Sequence, residues 1–239
     1  MNVAIVFAGG IGSRMNSRAL PKQFLEVNGT PVIVHTLRHF EQHPEISGIA
    51  VAILPAWRDH FLELVHRYNL SKVRWIVDGG STGQESRHEA LRAVAADVPE
   101  DTVALVHDGV RPLIDADLIS ANIAAVREHG SAITCSKVNE TIVTSDDGDL
   151  GEIIPRGNLY AARAPQSFRL GELLAGYDAA VADGENDTID SASVMRTYSD
   201  LTLRRVDGPV SNIKITTAED FYVCRTYFEL MENQQITGF

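Results

Sequence analysis

Short apolar runs that alternate with segments of helical periodicity are the feature that most constrains how this sequence folds. Each run is too short for a helix and almost free of polar residues, which predicts a strand buried on both faces. The predicted strands cover residues 3–7, 48–54, 73–77, 102–107 and 132–137, and the predicted helices lie at about 31–41, 56–68, 90–95 and 117–129. Such alternation produces parallel βαβ units. We therefore predict an α/β fold, a Rossmann-like, mostly parallel twisted sheet with helices on both faces.

The alternation stops after residue 137. Two β-like runs, 141–144 and 152–154, flank the turn-forming stretch 145–149, which predicts a hairpin that leaves the sheet. Further elements are expected beyond it, namely helices near 170–182 and 188–198, strands at 202–206 and 213–215, and an amphipathic helix at 217–233. No repeat or linker interrupts the chain, so residues 1–239 are expected to form one domain.

A glycine-rich loop follows the first predicted strand directly. It contains Ala8, Gly9, Gly10 and Gly12, and it is followed by the cations Arg14 and Lys22. Small residues let the backbone approach a ligand closely, and free N–H groups in such a loop can surround an anion. A glycine-rich surface turn with solvated basic residues is the alternative. The Walker string is absent and the third glycine of the dinucleotide fingerprint is replaced by Met15, so a different polyphosphate site is predicted.

Composition excludes several classes of protein. The formal net charge of −11 opposes non-specific binding to nucleic acid, which requires a basic face. A polyphosphate must therefore be attracted locally, by clustered cations and a metal ion. No apolar run approaches the roughly 18 residues that cross a membrane, and no basic segment precedes the first run. Because the two cysteines, Cys135 and Cys224, form no framework, we expect buried thiols in a reducing cytoplasm.

Five motifs, which span nearly the whole chain in a consistent order, resemble those of the cytidylyltransferases that act on polyol phosphates. They are Ala8-Gly-Gly-x-Gly-x-Arg-Met15 with Pro21-Lys-Gln-Phe24, Asp78-Gly-Gly80, His107-Asp-Gly-Val-Arg-Pro112, Ala164-Pro-Gln-Ser-Phe168 and Asn212-Ile-Lys-Ile-Thr216. The resemblance implies that the chain uses CTP and a polyol phosphate to make a CDP-alditol and pyrophosphate. It also implies a homodimer in which the hairpin, at about 141–160, is a dimerisation arm.

The acceptor is expected to be D-ribitol 5-phosphate. The spacing from Arg14 to Pro21, and Leu20 and Val110, resemble the ribitol enzymes more than the other branch of the family. The alternative acceptor is 2-C-methyl-D-erythritol 4-phosphate. Two other classes stay open, a nucleotide-sugar pyrophosphorylase with a similar glycine loop and a nucleotide-binding protein without catalytic activity.

The reaction needs positive charge rather than a general base. A phosphomonoester is largely dianionic at pH 7 and can attack the α-phosphorus of CTP directly. Arg14, Lys22 and Lys214 are therefore the candidate catalytic residues, which stabilise charge that builds up on the phosphorus. Asp108 ends a predicted strand and is the candidate Mg²⁺ ligand, because Mg²⁺ commonly takes one carboxylate together with phosphate oxygens. Its alternative role is that of a turn or capping residue.

The remaining assignments follow from the resemblance. It places CTP against Ala8, Gly9, Gly10, Gly12, Gly79, Gly80, Ser86 and Asp108, and the acceptor against Gly109, Arg111, Thr141, Arg156, Gln166 and Asp190. Ser86 has the alternative of a solvated turn residue, and Asp190 could instead cap the helix that follows it.

The sequence departs from the family pattern at a few positions. Gly83 stands where an arginine is usual, and Arg87 in the next turn is a candidate to replace it. Gly109 replaces an alanine, and Ala164 replaces the threonine that commonly precedes Pro-Gln. The sequence Ile189-Asp190-Ser191 replaces Thr-Asp-Glu. The differences at Ala164 and at 189–191 fall on the acceptor side.

Overall fold

The computed structural model describes residues 1–9 and 20–237. The strands are β1 (Asn2–Ala8), β2 (Glu26–Val27), β3 (Thr30–Pro31), β4 (Gly48–Ile53), β5 (Val73–Asp78), β6 (Val103–Asp108), β7 (Ser131–Lys137), β8 (Ile142–Asp146), β9 (Asp149–Ile154), β10 (Tyr160–Arg169) and β11 (Arg205–Asp207). The helices are α1 (Val32–Gln42), α2 (Arg58–Arg67), α3 (Gly83–Ala95), α4 (Ala116–His129), α5 (Leu170–Ala182), α6 (Ser191–Tyr198) and α7 (Ala218–Thr237). The motif-bearing loops follow β1, β5 and β6.

Seven of these strands form one sheet in the order β11-β7-β10-β6-β1-β4-β5. β1 pairs in parallel with β4 and β6, β4 with β5, and β7 with β11. Among the seven strands of this sheet in the described ranges, only β10 runs antiparallel to its neighbours, between β6 and β7. The mostly parallel sheet predicted from the sequence is confirmed. Because β1, β4, β5 and β6 are parallel, their carboxyl ends and the loops that follow them lie at one edge of the sheet.

Helices cover both faces of the sheet and bury two apolar cores. On β1, Ala4 and Val6 face the core formed with α1, α2 and α4, whereas Val3 and Ile5 face the core formed with α3, α5 and α6. This division follows from the twofold alternation of side chains along a strand. Strands β4 and β6 are buried along their whole length, as expected for parallel strands covered on both faces.

The ends of α4 illustrate how sequence fixes these connections. The Asp115 carboxylate accepts a hydrogen bond from the backbone N–H of Leu118 at 2.8 Å, which caps the amino terminus of the helix. At the other end Gly130 has a φ of 84°, a left-handed conformation that glycine adopts without a steric penalty. The chain can therefore reverse at once into β7.

Strand β10 was not predicted from the sequence. A proline within a run argues against a central strand, because it cannot donate to the ladder, and Pro165 lies in the middle of this one. The structure places Pro165 where the pairing register with β7 shifts, between Ala162 and Gln166. The strand tolerates the proline at this irregularity and brings residues 162–166 to the edge of the sheet where the motif loops lie.

Three other predictions near the carboxyl terminus need correction. Residues 213–215 are not a strand, although the backbone N–H of Ile215 donates to the Val110 carbonyl at 3.0 Å. The preceding strand occupies Arg205–Asp207 rather than 202–206, and α6 begins at Ser191, later than residue 188. In each case a short apolar run or a capping residue indicated that a helix or strand was near, but it did not determine the type of element or the residues at which it begins and ends.

The hairpin of β8 and β9 forms a separate two-stranded sheet. Every residue of β8 is exposed, and so are Leu150 and Ile153 on β9, at 75% and 67%. A two-stranded hairpin is marginally stable alone in water. Its apolar residues are therefore available for contact with another surface, and its role as a dimerisation arm stays a prediction.

No helix among the described residues is long and apolar enough to cross a membrane. Both cysteines are free thiols, Cys224 buried and Cys135 half-buried. The prediction of buried thiols is therefore confirmed for Cys224 and is only partly correct for Cys135.

Candidate active site

A pocket of about 240 Å³ opens at the edge of the sheet where β1 and β6 end. Residues in the range 162–166 of β10 form one wall, and the segment before α6 forms another. Four cationic and two acidic side chains line the pocket together with apolar and polar groups, namely Arg87, Arg111, Arg163, Lys214, Asp108, Asp190, Phe7, Val106, Ala162, Ala164, Gln166, Ile189 and Ser191. The lining thus carries an excess of positive charge, although the chain as a whole has a net charge of −11. Such a pocket attracts a phosphate-bearing ligand.

The last residue of β6 is the centre of an ion-paired group. One carboxylate oxygen of Asp108 lies 2.6 Å from Lys214 Nζ, and the other accepts from Arg111 Nε at 2.7 Å. Burial alone would raise the pKa of Asp108, but the neighbouring Lys214 ammonium and Arg111 guanidinium outweigh it and hold that pKa well below its usual range. The carboxylate is therefore ionised at neutral pH and holds both cations in the pocket.

Asn212 fixes the segment that carries Lys214. Its side chain is fully buried, and Nδ2 donates to the Ala164 carbonyl on β10 at 2.6 Å. Its own carbonyl accepts from two guanidinium groups, Arg111 Nη1 at 3.0 Å and Arg163 Nη1 at 2.8 Å. Since Ile215 is buried as well, the segment is anchored on both sides of Lys214. Lys214 can thus extend into the pocket from an irregular but well-held backbone.

His107 serves the structure of this loop. It is fully buried, with its Nε2 3.0 Å from the Arg111 carbonyl and its ring at the edge of Phe40. Because a carbonyl can only accept, Nε2 carries the proton in the neutral ring. Nδ1 is buried and has no partner. Burial lowers the pKa of His107 from 6.5 to about 4, so the ring is neutral at physiological pH.

This buried ring predicts a loss of stability in mild acid. The pKa of His107 is lower in the folded than in the unfolded chain, so its contribution to stability is present above about pH 6.5 and is lost as the pH falls towards 4. His107→Gln retains an N–H donor for the Arg111 carbonyl and does not titrate. Between pH 7.5 and 5, the wild-type free energy of unfolding should fall by about 2 kcal/mol more than that of the variant. Denaturant unfolding at both pH values checks this, and parallel losses in the two proteins would contradict it.

The loops after β1 and β5 approach each other at their glycines. A Cβ on Gly79 would lie 3.0 Å from the Gly9 Cα, and a Cβ on Gly9 would lie 2.9 Å from the Ser86 hydroxyl. Ser86 Oγ accepts from the Gly80 N–H at 3.0 Å and donates to the Thr82 carbonyl at 2.9 Å. Ser86 is buried, so the alternative of a solvated serine is wrong. Its hydroxyl shapes the loop in which Gly79 and Gly80 would face a base.

Lys22 is held near the end of β1 by its neighbours. Gln23 Nε2 donates to the Ala8 carbonyl at 2.7 Å, and the Phe24 ring packs against Trp57 and His60 with centroids about 5 Å apart. Lys22 therefore starts from a fixed backbone at the nucleotide-loop end of the sheet. Gly10, Gly12 and Arg14 lie outside the described residues, so their assignments stay predictions.

The acceptor-side residues Gln166 and Asp190 meet in the pocket wall. Gln166 Nε2 donates to Asp190 Oδ2 at 2.8 Å, and Asp190 Oδ1 accepts from the Ser193 backbone N–H at 2.8 Å. Asp190 therefore caps α6, as the alternative interpretation had it, and still borders the pocket. Gly109 packs below the pocket, where a Cβ would lie 3.0 Å from the Ala8 side chain. A side chain at position 109 would therefore press on the end of β1.

Two acceptor candidates lie away from the pocket of their own chain. Thr141 and Arg156 flank the hairpin and are exposed, and Arg156 Nη1 donates to the Asn139 carbonyl at 2.7 Å. Neither residue belongs to the pocket lining. The resemblance further implies that the arm of one subunit reaches the pocket of the other, and the location of both residues outside the pocket of their own chain is consistent with that prediction.

Arg87 lies in the pocket wall near the position of the missing arginine. Its Nε donates to the Tyr177 hydroxyl at 2.7 Å, its Nη2 donates to the Thr188 carbonyl at 3.0 Å, and its guanidinium lies over the Phe7 ring. A Cβ on Gly83 would lie 3.3 Å from Arg87 Nη1. The candidate replacement therefore borders the pocket, although two of its five N–H donors are committed to Tyr177 and Thr188.

Sequence reasoning missed Arg163, Phe7 and the role of Asn212. Arg163 is the single charged residue in the run Ala161–Ala164, which is the one sequence signal that could have identified it. The acceptor at Asn212 is the main-chain carbonyl, and no pattern of side chains in a sequence indicates such an acceptor.

The donor set at Asp108 fits a magnesium ion. The carboxylate is ionised, and each oxygen accepts one donor and so keeps a further lone pair. No group of three or more potential ligands occurs among the residues that the structure covers. A Mg²⁺ ion here would therefore bind one protein carboxylate, with the remaining ligands supplied by phosphate and water.

Comparisons with known proteins find relatives over nearly the whole chain. The family model described as IspD, 2-C-methyl-D-erythritol 4-phosphate cytidylyltransferase, matches residues 2–230. A ribitol-5-phosphate cytidylyltransferase of Streptococcus agalactiae serotype III is 44% identical over 240 residues, covering 100% of both chains. A 2-C-methyl-D-erythritol 4-phosphate cytidylyltransferase of Geobacillus kaustophilus is 35% identical, covering 91% of this chain and 92% of that protein. A solved structure of 4-diphosphocytidyl-2C-methyl-D-erythritol synthase from Anaerococcus prevotii aligns with a TM-score of 0.81 at 29% identity, covering 95% of each chain.

Proposed function

The chain belongs to the IspD family of cytidylyltransferases, and from this premise we propose that it transfers CMP from CTP to D-ribitol 5-phosphate, forming CDP-ribitol and pyrophosphate. The observation that carries the proposal is the group of Lys214, Asp108 and Arg111 at the end of β6. It holds two cations in a pocket between two parts of the molecule. One is formed by the loops after β1 and β5, here called the nucleotide loops, and the other by residues 162–166 and the segment before α6, here called the acceptor wall.

The choice of acceptor rests on the relatives. The relative from Streptococcus agalactiae, named for ribitol 5-phosphate, is 44% identical, and the one from Geobacillus kaustophilus, named for 2-C-methyl-D-erythritol 4-phosphate, is 35% identical. The preference agrees with the resemblance of Leu20 and Val110 to the ribitol enzymes.

The residues suggest a mechanism of positioning and charge neutralisation. An oxygen of the acceptor phosphate attacks the α-phosphorus of CTP, the bond from that phosphorus to the bridging oxygen breaks, and pyrophosphate leaves. The dianionic nucleophile needs no general base. Lys214 is held by Asp108 where negative charge builds up on the α-phosphate, while Lys22 neutralises the triphosphate from the loop side. Because Lys214 is held by Asp108 before the substrates bind, little reorganisation of this cation accompanies the reaction.

A Mg²⁺ ion bound by Asp108 would screen the charge of the triphosphate. We also propose that the enzyme works as a homodimer in the cytoplasm, where CTP is available. The exposed apolar residues of the hairpin, together with Arg156 outside its own pocket, support the dimer.

The test is pyrophosphate release by the purified protein with CTP, Mg²⁺ and each acceptor in turn. We expect kcat/KM for D-ribitol 5-phosphate to exceed that for 2-C-methyl-D-erythritol 4-phosphate by about tenfold or more, the scale on which a differently shaped carbon chain is discriminated. Faster turnover of the erythritol compound would overturn the choice of acceptor.

The same assay separates the other two classes. Release from UTP, GTP or ATP with sugar phosphates would indicate a nucleotide-sugar pyrophosphorylase. Binding of CTP without release under any acceptor would indicate a protein that binds nucleotides and does not react with them.

A further inference from the structure

Arg163 is a cation in the pocket wall that neither the sequence motifs nor the mechanism above has used. Its Nε donates to the Ser136 hydroxyl at 2.6 Å, and its Nη1 donates to the Asn212 carbonyl at 2.8 Å. No carboxylate in the described ranges lies within ion-pair distance of it, so both of these partners are neutral. Burial and the nearby Arg111 guanidinium lower the pKa of Arg163, although a guanidinium stays charged at neutral pH. A half-buried charge without a counter-ion is unfavourable until an anion binds.

The guanidinium group of Arg111 lies close to that of Arg163. Arg111 and Arg163 each direct one Nη1 at the same Asn212 oxygen, so these two nitrogens lie within about 6 Å of one another. Each guanidinium has five N–H donors, of which the structure commits the Nε donor and one on Nη1. Three donors on each therefore stay available within the described structure. Two planar forks at this separation match the oxygens of a single phosphate group.

The position in the sheet decides which phosphate fits. β10 carries Arg163, and three strands, β6, β1 and β4, separate it from β5, whose loop holds Gly79 and Gly80. At about 4.8 Å between neighbouring strands, β10 and β5 lie about 19 Å apart. The pair of arginines therefore lies on the acceptor side, next to Gln166 and one ion pair away from Lys214.

We propose that Arg163 and Arg111 form a clamp for the phosphate of the acceptor, and that Arg163 selects a dianionic phosphomonoester over an uncharged polyol. The inference rests on the proposed function for the identity of that ligand. Arg111, Arg163 and Lys214 together with the Asp108 carboxylate carry two net positive charges, which match the two negative charges of the phosphate. The clamp neutralises the nucleophile as it approaches the polyanionic CTP and orients one oxygen towards the α-phosphorus near Lys214. Ser136 is a positioning residue, because its hydroxyl fixes the plane of the Arg163 guanidinium.

Calorimetric binding tests the clamp without any need for turnover. We expect the wild type to bind D-ribitol 5-phosphate and to bind ribitol much more weakly. Arg163→Gln should raise the Kd for D-ribitol 5-phosphate about 10- to 100-fold, the effect of losing charge-assisted hydrogen bonds, and should leave the weak binding of ribitol unchanged. Arg169→Gln is the matched control, since Arg169 lies at the opposite end of β10 and reaches only the Arg127 carbonyl, at 3.5 Å.

Steady-state kinetics then show whether the arginine pair binds the phosphate of the acceptor or the triphosphate of CTP. Arg163→Gln should raise the KM for the acceptor and leave the KM for CTP within about twofold. Arg163→Lys should give an intermediate value, because it keeps the charge but loses the fork. Ser136→Ala should raise the same KM less than Arg163→Gln does, and it keeps the proposal testable if the arginine variants fail to fold.

Two results would overturn the inference. Unchanged acceptor binding in Arg163→Gln would show that the arginine only supports the structure. A rise in the KM for CTP alone would assign the clamp to the triphosphate. An inactive wild type that still binds D-ribitol 5-phosphate through Arg163 would refute the proposed function and leave the clamp intact.

Discussion

Lys214→Met should lower kcat for CMP transfer about 10²–10³-fold, because it removes a fixed positive charge from the place where the reacting phosphorus gains negative charge. Methionine keeps the length and the apolar stem of lysine, and Lys214 is partly exposed, with 41% of its side chain accessible. Asp108 keeps its second partner, Arg111, so the fold should persist. Initial rates at saturating CTP and acceptor measure the effect.

Lys72→Met is the matched control. Lys72 lies at the amino-terminal end of β5, at the edge of the sheet opposite the pocket, and donates to the His43 carbonyl. Its kcat should equal that of the wild type. A Lys214→Met enzyme with near-normal kcat and a raised KM for CTP would show that Lys214 binds the ground state only.

Mixing two inactive variants should restore activity if the site is shared between subunits. Arg156→Ala carries an intact nucleotide loop, and Lys22→Ala carries an intact hairpin. In a mixed dimer one pocket then has both defects and the other has neither. Random pairing makes half of the dimers mixed, so co-refolded equimolar protein should regain about a quarter of wild-type activity.

A second mixture serves as the control for complementation. Lys22→Ala and Lys214→Met both damage the pocket of their own subunit, so mixing them should restore nothing. If the first mixture also stays inactive while native mass spectrometry detects mixed dimers, Arg156 serves its own subunit or has no role in the pocket. A protein that is monomeric at the assay concentration would contradict the shared site from the outset.

Sequence reasoning identified the residues of the site that lie directly after the ends of strands. The loops beyond β1, β5 and β6 meet at one edge because parallel strands oblige them to, and Asp108 and Arg111 were placed in this way. Lys214 was found through its motif, but the prediction that 213–215 forms a strand was wrong. Ile215 is buried and Ile213 is partly buried by packing, and the segment makes one backbone bond to Val110 rather than a ladder.

The acceptor wall could not be derived from sequence patterns. Pro165 concealed β10, because a proline within a run argues against a central strand while the tertiary structure tolerates it at a register shift. Without β10, Arg163 had no assigned position. The backbone carbonyl of Asn212 accepts from both Arg111 and Arg163. Every residue type has such a carbonyl, so the sequence does not indicate which one acts as an acceptor. Arg156 was assigned only through the resemblance, and it lies outside the pocket of its own chain.

The strand order has a consequence for how such enzymes can diverge. The nucleotide loops follow β1 and β5, whereas the acceptor wall is built from the single antiparallel strand and the segment before α6, on the other side of β6. The two halves meet where Thr82 and Gln84, at the start of α3, hydrogen-bond the backbone of residues 185–188. Residues 162–166 make no such bond to the described parts of the loops after β1 and β5, so substitutions there need not disturb those loops. If the proposed function holds, a descendant could exchange one polyol phosphate for another through mutations in residues 162–166 other than Arg163, while the ion-paired group at Lys214 is inherited unchanged. Changes of acceptor on this scaffold should accordingly require few steps and should pass through intermediates that still activate CTP.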